Sequence, residues 1–251
     1  MGSASDENHT ASKPKYSVCI TNYNTGRTIR ESLKSLLSQL DSSFEVVVCD
    51  NCSNDGSGEI LSEYARAGKL SLIVQKSTRG RGRQIAFEHS NGDYILSGFD
   101  MDDTFRATIK DILSLYHEKH EGYMLSFLTV HIIPRAIVEE VRGWKDIQRY
   151  EDVEFSRRVQ RIRKLHYFGD PSALIMKKGH PKRDFLHSLR EMYTGYETRY
   201  RMGDDIFQDL ARNTLFSTHV VRSEYWRLIQ FWIAFLVVAA CRLKHVKRFN
   251  Y

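Results

Sequence analysis

Four short apolar runs punctuate the first part of the chain, at residues 16–21, 44–49, 70–75 and 94–99. Each ends in polar residues and leads towards a helical pattern. Runs this short, rich in Val, Ile and Leu, read as strands covered on both faces. After the first, Ile29, Leu33, Leu36, Leu37 and Leu40 recur at helical spacing within 28–40. Residues 59–67 give a second helix. A flexible basic loop at 78–83 precedes a short helix at 84–90. Strands and helices alternating at this spacing require right-handed crossovers, which makes a doubly wound α/β sheet. Such sheets bind ligands outside the carboxyl ends of their strands. That rule gathers Asn22, Asp50, Arg83 and the acids at 100–103 along one edge.

The fourth run ends in Asp100-Met-Asp102-Asp103. In an extended chain, residues two apart face the same side, so Asp100 and Asp102 project together. Paired carboxylates suit a hard divalent cation, Mg²⁺ or Mn²⁺, that holds a diphosphate. The same residues also read as a polar turn in which Asp caps a helix over 104–116. The eleven residues of this stretch leave both readings open. Two phosphate-binding fingerprints are absent: no Gly-x-Gly-x-x-Gly follows the first strand, and there is no P-loop. A dinucleotide fold is thereby disfavoured, and a cation held by Asp becomes the natural partner for phosphate.

The 251 residues suffice for one large α/β domain with an appendage. The formal charge of +6 admits phosphate-bearing substrates, an anionic membrane surface or nucleic acid. The basic runs at 157–164 and 177–183 lack interleaved aromatics or nucleic-acid motifs, so no nucleic-acid partner is expected. Cys49 and Cys52 form a lone Cys-x-x-Cys, which argues against structural zinc. Cys19 and Cys49 sit in apolar runs, and reduced thiols fit a cytoplasmic setting. Residues 1–15 are small and polar and read as a disordered leader without the apolar core of a signal peptide.

In the second half, residues 127–133 read as a strand, and Pro134 opens a helix over 135–141. Residues 149–159 form a further helix with Glu151 and Asp152 in its first turn, where the helix dipole favours acids. Glu154 can pair there with Arg157 or Arg158. A helical extension occupies 186–251, its first helix at 192–215. Residues 228–241 are apolar all round but short for a bilayer span. With Trp226, Trp232, Lys244, Lys247 and Arg248 beside them, they read as a membrane-surface helix or a homodimer face.

Three segments, 16–24, 46–57 and 92–103, together resemble the nucleotide-sugar-binding half of family 2 glycosyltransferases. The resemblance runs from about residue 16 to 159, with the motifs in order. It implies a GT-A fold over 16–185: a doubly wound mixed sheet flanked by helices, with the C-terminal helical extension appended. It implies metal-dependent, inverting transfer from a UDP- or GDP-sugar to a hydroxyl or phosphate acceptor, on a glycan or a lipid-linked substrate. Asp50 would contact the nucleobase. Asp100 would bind ribose or metal, and Asp102 would be the main ligand of Mn²⁺ or Mg²⁺. Thr21, Asn22, Tyr23 and Arg83 complete the donor-binding set, with Arg79 a weaker diphosphate candidate. Tyr150-Glu151-Asp152 matches the family's Glu-Asp element, whose Asp is the general base. Departures from the family pattern are Thr21-Asn-Tyr-Asn without Pro, Asn51-Cys52 before Ser53, and Gly82-Arg83-Gln84 in place of Ala-Arg-Asn. The expected location is cytoplasmic, peripheral on a membrane's cytoplasmic face. Two competing readings are a nucleotidyltransferase acting on sugar phosphates and a non-enzymatic basic membrane-binding module.

Overall fold

The computed structural model describes residues 14–127, 129–168, 170–177, 185–204, 206, 224–244 and 246–249. Most of the expected leader, the greater part of the 177–183 basic run and residues 207–215 lie outside these.

Seven strands form one mixed sheet in the order β3-β2-β1-β4-β7-β6-β8. They are β1 (Tyr16–Asn22), β2 (Phe44–Asp50), β3 (Ser71–Val74), β4 (Tyr94–Ser97), β6 (Met124–Phe127), β7 (Val130–Pro134) and β8 (Leu165–Tyr167). β1 pairs in parallel with both β2 and β4, and β2 with β3. β7 runs antiparallel to β4 and β6. A separate two-stranded ribbon joins β5 (Thr104–Phe105) to β9 (Ile175–Lys177). The helices of this domain are α1 (Ile29–Leu37), α2 (Ser57–Arg66), α3 (Arg79–Glu88), α4 (Ile109–Lys119), α5 (Arg135–Glu140) and α6 (Glu151–Arg161).

Alternation along the strands fills two cores. Val18, Ile20, Val46 and Val48 face one side, with Leu33, Leu61 and Tyr116 from the helices. Cys19, Val47 and Cys49 face the other, with Ile85, Val138 and Phe155. Central strands apolar on both faces can sit only in such a sandwich, which is why the first half reads so clearly from sequence.

Three expectations need correction. The single strand at 127–133 is in fact part of a hairpin, β6 and β7, because the chain reverses between Phe127 and Val130. Gly98 makes room for that turn. Its φ is +89°, and a Cβ there would lie 1.8 Å from the Thr129 carbonyl oxygen. The basic loop at 78–83 is instead the start of α3, N-capped by the Thr78 hydroxyl, which accepts from the Arg81 amide at 3.1 Å. Its glycines are packing devices. Gly80 donates its amide to Ile147 O at 3.0 Å, and a Cβ would strike Lys145 O. Finally, the helix expected at 104–116 starts only at Ile109. Thr104 and Phe105 pair with β9, so Asp103 caps no helix.

The extension begins with α7 (Phe185–Arg201), against which α8 (Glu224–Leu243) packs through Ala234 and Val238, with Tyr196, Tyr200 and Ile206. Asp204 ties it to the sheet domain, accepting from Arg157 of α6 at 2.5 and 3.2 Å and from Arg199 at 3.1 Å. Among the described residues no helix is long and apolar enough to cross a membrane.

Gly98→Ala should cost roughly 3 kcal/mol, combining a strained φ with a backbone clash. Chemical denaturation of the two proteins measures it, and a difference below about 1 kcal/mol would contradict the close approach of the hairpin.

Candidate active site

The acids of 100–103 lie just beyond β4, in a turn closed by the Asp103 amide donating to Asp100 O at 3.0 Å. α1 holds this turn from outside. The Thr28 hydroxyl donates to Met101 O at 2.9 Å, and the Ser32 hydroxyl donates to Asp103 O. Burial alternates along the turn: Met101 and Asp103 are buried, whereas Asp100 and Asp102 are partly exposed. The acids thus lie on a closed turn beyond the strand rather than on the extended chain the spacing suggested. The carboxylates left towards solvent are the pair expected to hold a metal.

Asn22 and Asp50 are register partners at the ends of β1 and β2. Asp50 is only 1% exposed, and its carboxylate is saturated from within. It accepts from Asn22 Nδ2 at 2.7 Å, from the Ser53 hydroxyl at 2.6 Å and from the Ser53 amide at 2.9 Å. Above it opens a small cavity of about 50 Å³ lined by Thr21, Asn22, Tyr23, Asn51, Ser77 and Gln148, among others. Thr21, Asn22 and Tyr23 therefore come together as the sequence suggested, whereas Asp50 lies beneath the lining. Asn51 faces the cavity with its Oδ1 fixed by the Ser77 amide at 2.7 Å. Asn51, Ser77 and Gln148 were missed. Asn51 could have been found as the residue next to the acid at the end of β2, but Ser77 and Gln148 lie in irregular segments without a pattern.

Arg83 projects from α3 under the sheet edge and is 6% exposed. Its Nε and Nη2 donate to Glu151 Oε1 at 3.1 and 3.0 Å, and its Nη1 donates to the Ser97 hydroxyl at 3.1 Å. Burial opposes the Arg83 charge, but the carboxylates of Glu151, Asp100 and Asp152 outweigh it and raise the arginine's pKa. One buried cation thereby links the turn after β4 to the first turn of α6. Glu151 is 2% exposed. Burial pushes its carboxyl up, against the pull of Arg83 and Arg79. Asp152, the next residue, remains partly exposed, with its Oδ1 accepting from the Val153 amide at 2.8 Å. Tyr150, in the left-handed region at φ 59°, caps α6 and lets the chain enter the helix at this point. Further along, Glu154 takes Arg158 at 2.7 Å, not Arg157, and also Lys145 at 2.7 Å.

The family model for "Glycosyl transferase family 2" matches residues 17–181. The chain belongs to this family. Within the family it is 32% identical over 118 residues to the putative glycosyltransferase EpsE of Bacillus subtilis, covering 45% of this chain and 42% of that one. It is 35% identical over 119 residues to the poly(ribitol-phosphate) beta-N-acetylglucosaminyltransferase TarS of Staphylococcus aureus, covering 44% and 20%. The chain thus spans less than half the length of these two relatives. Among solved structures, TarS 1-349 in complex with UDP-GlcNAc superposes with a TM-score of 0.55 at 20% identity, over 76% of this chain and 68% of that one. The mannosyltransferase PcManGT of Pyrobaculum calidifontis, in complex with GDP-Man and Mn²⁺, gives 0.56 at 15% identity, over 92% and 76%. These likenesses establish the GT-A fold.

A further residue of this family 2 site gave no sequence signal beyond a polar residue inside an apolar strand. His131 of β7 sits opposite Ser97 and is 1% exposed. Neither ring nitrogen has a hydrogen-bond partner among the described residues. Burial and then the Arg83 charge push its pKa down to about 4.

The fit to a divalent cation rests on donor chemistry. Asp100 and Asp102 would supply hard carboxylate oxygens; among the described residues no group of three or more acids, His or Cys could hold a metal ion by itself. Cations of the Mg²⁺ type are held in that way, by one or two carboxylates completed by substrate phosphate and water.

Two outcomes test this network. Glu151→Gln strands a buried guanidinium and should cost about 3–5 kcal/mol in denaturant melts. His131 is neutral when folded, and the unfolded chain takes up its proton first. Its contribution is therefore complete above pH 6.5 and is lost as pH falls towards about 4. The loss reaches about 3 kcal/mol, and His131→Leu should flatten that acid limb of the stability curve.

Proposed function

We propose that this chain transfers a sugar from a nucleoside-diphosphate donor to an acceptor hydroxyl with inversion at the anomeric carbon, and that Asp152 is the general base. The observation that carries the reading is the shared buried cation. Arg83 interacts with Asp100 on one side and with Glu151 and Asp152 on the other. A carboxylate suited to donor-side binding and one suited to proton removal thus both act on Arg83, and Glu151, beside Asp152, also lies 4.0 Å from Arg79 of the cavity lining.

The cavity, at about 50 Å³, would take one edge of the nucleobase. Asp50 shapes it through Asn22 and Ser53, while Asn51 presents its amide to the base. Asp102, with Asp100, would hold Mn²⁺ or Mg²⁺. When bound, the cation neutralises the diphosphate as it leaves. Asp152 accepts the acceptor's hydroxyl proton, that oxygen bonds to the anomeric carbon, and the carbon–oxygen bond to the diphosphate breaks with its electron pair on the leaving group. Base catalysis of this kind contributes about 10²–10⁴ in rate. Arg83 acts by positioning, since its guanidinium is committed to Glu151 and Ser97. Membership of the family favours glycosyl transfer over nucleotidyl transfer. A phosphate acceptor, or a lipid-linked one brought to the membrane face by α8, fits the same scheme.

Asp152→Asn should lower turnover by roughly 10²–10⁴-fold while leaving donor affinity unchanged. Asp102→Ala should weaken Mn²⁺-dependent binding of the nucleoside diphosphate as well as turnover. Both are read from released nucleoside diphosphate and from calorimetry. Metal-dependent turnover retained in both variants would sink the assignment.

A further inference from the structure

A second cavity lies away from the sheet edge. It lies in the extension between α7 and α8, with a volume of about 490 Å³. That is within the usual range for small-ligand sites. Ile206 and Val238 form an apolar floor, 2% and 9% exposed. Arg242, Arg248, Tyr200 and Asp204 form its polar wall. The Asp204 carboxylate is already engaged by Arg157 and Arg199, which hold its pKa low against the effect of burial. It therefore does not serve the other two arginines. Arg248 lies over the Tyr200 ring at 5.3 Å, and no carboxylate partner is recorded for Arg242 or Arg248 among the described residues. Two exposed guanidiniums over an apolar floor suit a phosphate carried on an apolar body, because the planar guanidinium fork matches phosphate oxygens.

The outer face of α8 supplies the second, independent observation. Trp232, Phe235, Leu236 and Leu243 are 59%, 47%, 61% and 81% exposed. At 100° per residue these four fall on one stripe, opposite Ala234, Val237 and Cys241, which are buried. Val238 and Arg242 lie at the flank of that stripe, so one surface can meet the stripe and the cavity together. The exposed stripe lies opposite the face that packs on α7, and an apolar stripe along one side of a helix suits a bilayer interface.

We infer that the α7–α8 pair is an anionic-phospholipid site: the cavity takes the headgroup phosphate through Arg242 and Arg248, and the Trp232–Leu243 stripe enters the acyl boundary. Lys244 and Lys247, exposed just beyond the helix, add attraction to the surface but lie outside the cavity. The site needs no glycosyl transfer, so it stands or falls separately from the catalytic reading.

Flotation of the full chain with phosphatidylcholine vesicles, with and without about a third phosphatidylglycerol, is the test. Binding should require the anionic lipid. Arg242→Gln with Arg248→Gln should weaken it roughly tenfold or more, whereas Lys244→Gln with Lys247→Gln, an equal loss of charge, should weaken it far less. Leu236→Ser with Leu243→Ser should release the protein from vesicles without lowering its melting temperature. Val238→Phe fills the cavity without touching charge and should reproduce the arginine effect. Equal effects of the two charge pairs would overturn the headgroup site in favour of diffuse attraction. Binding of soluble glycerol phosphate without vesicle binding, or dimerisation through the stripe in sedimentation without vesicle binding, would overturn the membrane assignment.

Discussion

The Arg83–Glu151 ion pair is the contact on which the geometry of this molecule turns. A buried pair of this kind adds little net stability, because desolvating two charges offsets their attraction. What it fixes is position. Arg83 rises from α3, reaches across to Ser97 at the end of β4, and clasps the first turn of α6. Two successive elements and a third some seventy residues on thereby share one anchor. Removing either partner leaves a charge with no water to solvate it, so the arrangement holds together or fails as a unit.

Close backbone approach is the second constraint. Gly80 lets α3 press against the 145–147 segment, and Gly98 lets the β6–β7 hairpin fold over the end of β4. Trp144 then stacks on Phe155 at 4.4 Å, and Glu154 draws in Arg158 and Lys145. The segment leading into α6 is pinned from both sides. Asp152 is thus carried on a rigid helix start rather than a loose loop, the support that a catalytic group requires.

What was legible in the sequence followed from burial. β1, β2 and β4 are apolar on both faces and announced themselves, as did the polar residues at or just beyond their ends. The misreadings all involve residues whose role is set by a partner far along the chain. Thr104 and Phe105 look like a helix start, but β9 arrives some seventy residues later to pair with them. Residues 127–133 look like one strand because the reversal between Phe127 and Val130 leaves hardly any polar trace in the sequence. Gly80, Gly82 and the arginines that alternate with them look like a mobile basic loop. Their glycines in fact answer to backbones at 145–147 and a side chain at Thr21. Arg83 was legible as a residue near the site, but not as a buried strut, because Glu151 lies 68 positions away. His131 shows the same limit, since nothing local marks it as sealed beside a guanidinium.

The way α6 is shared between two parts of the molecule has a mechanical consequence. Its first turn carries Asp152, while Arg157, midway along, is gripped by Asp204 of the extension. A helix of 11 residues is about 16 Å long. A pivot of about 5° about one end would displace the other by a little over 1 Å, a misplacement of the size that can cost a reaction about 10²-fold. The manufacturing tolerance of the reacting centre is therefore set partly by a joint outside it. Substitutions in the α7–Asp204 region, distant from any substrate, fall under the same narrow tolerance as those in the site itself.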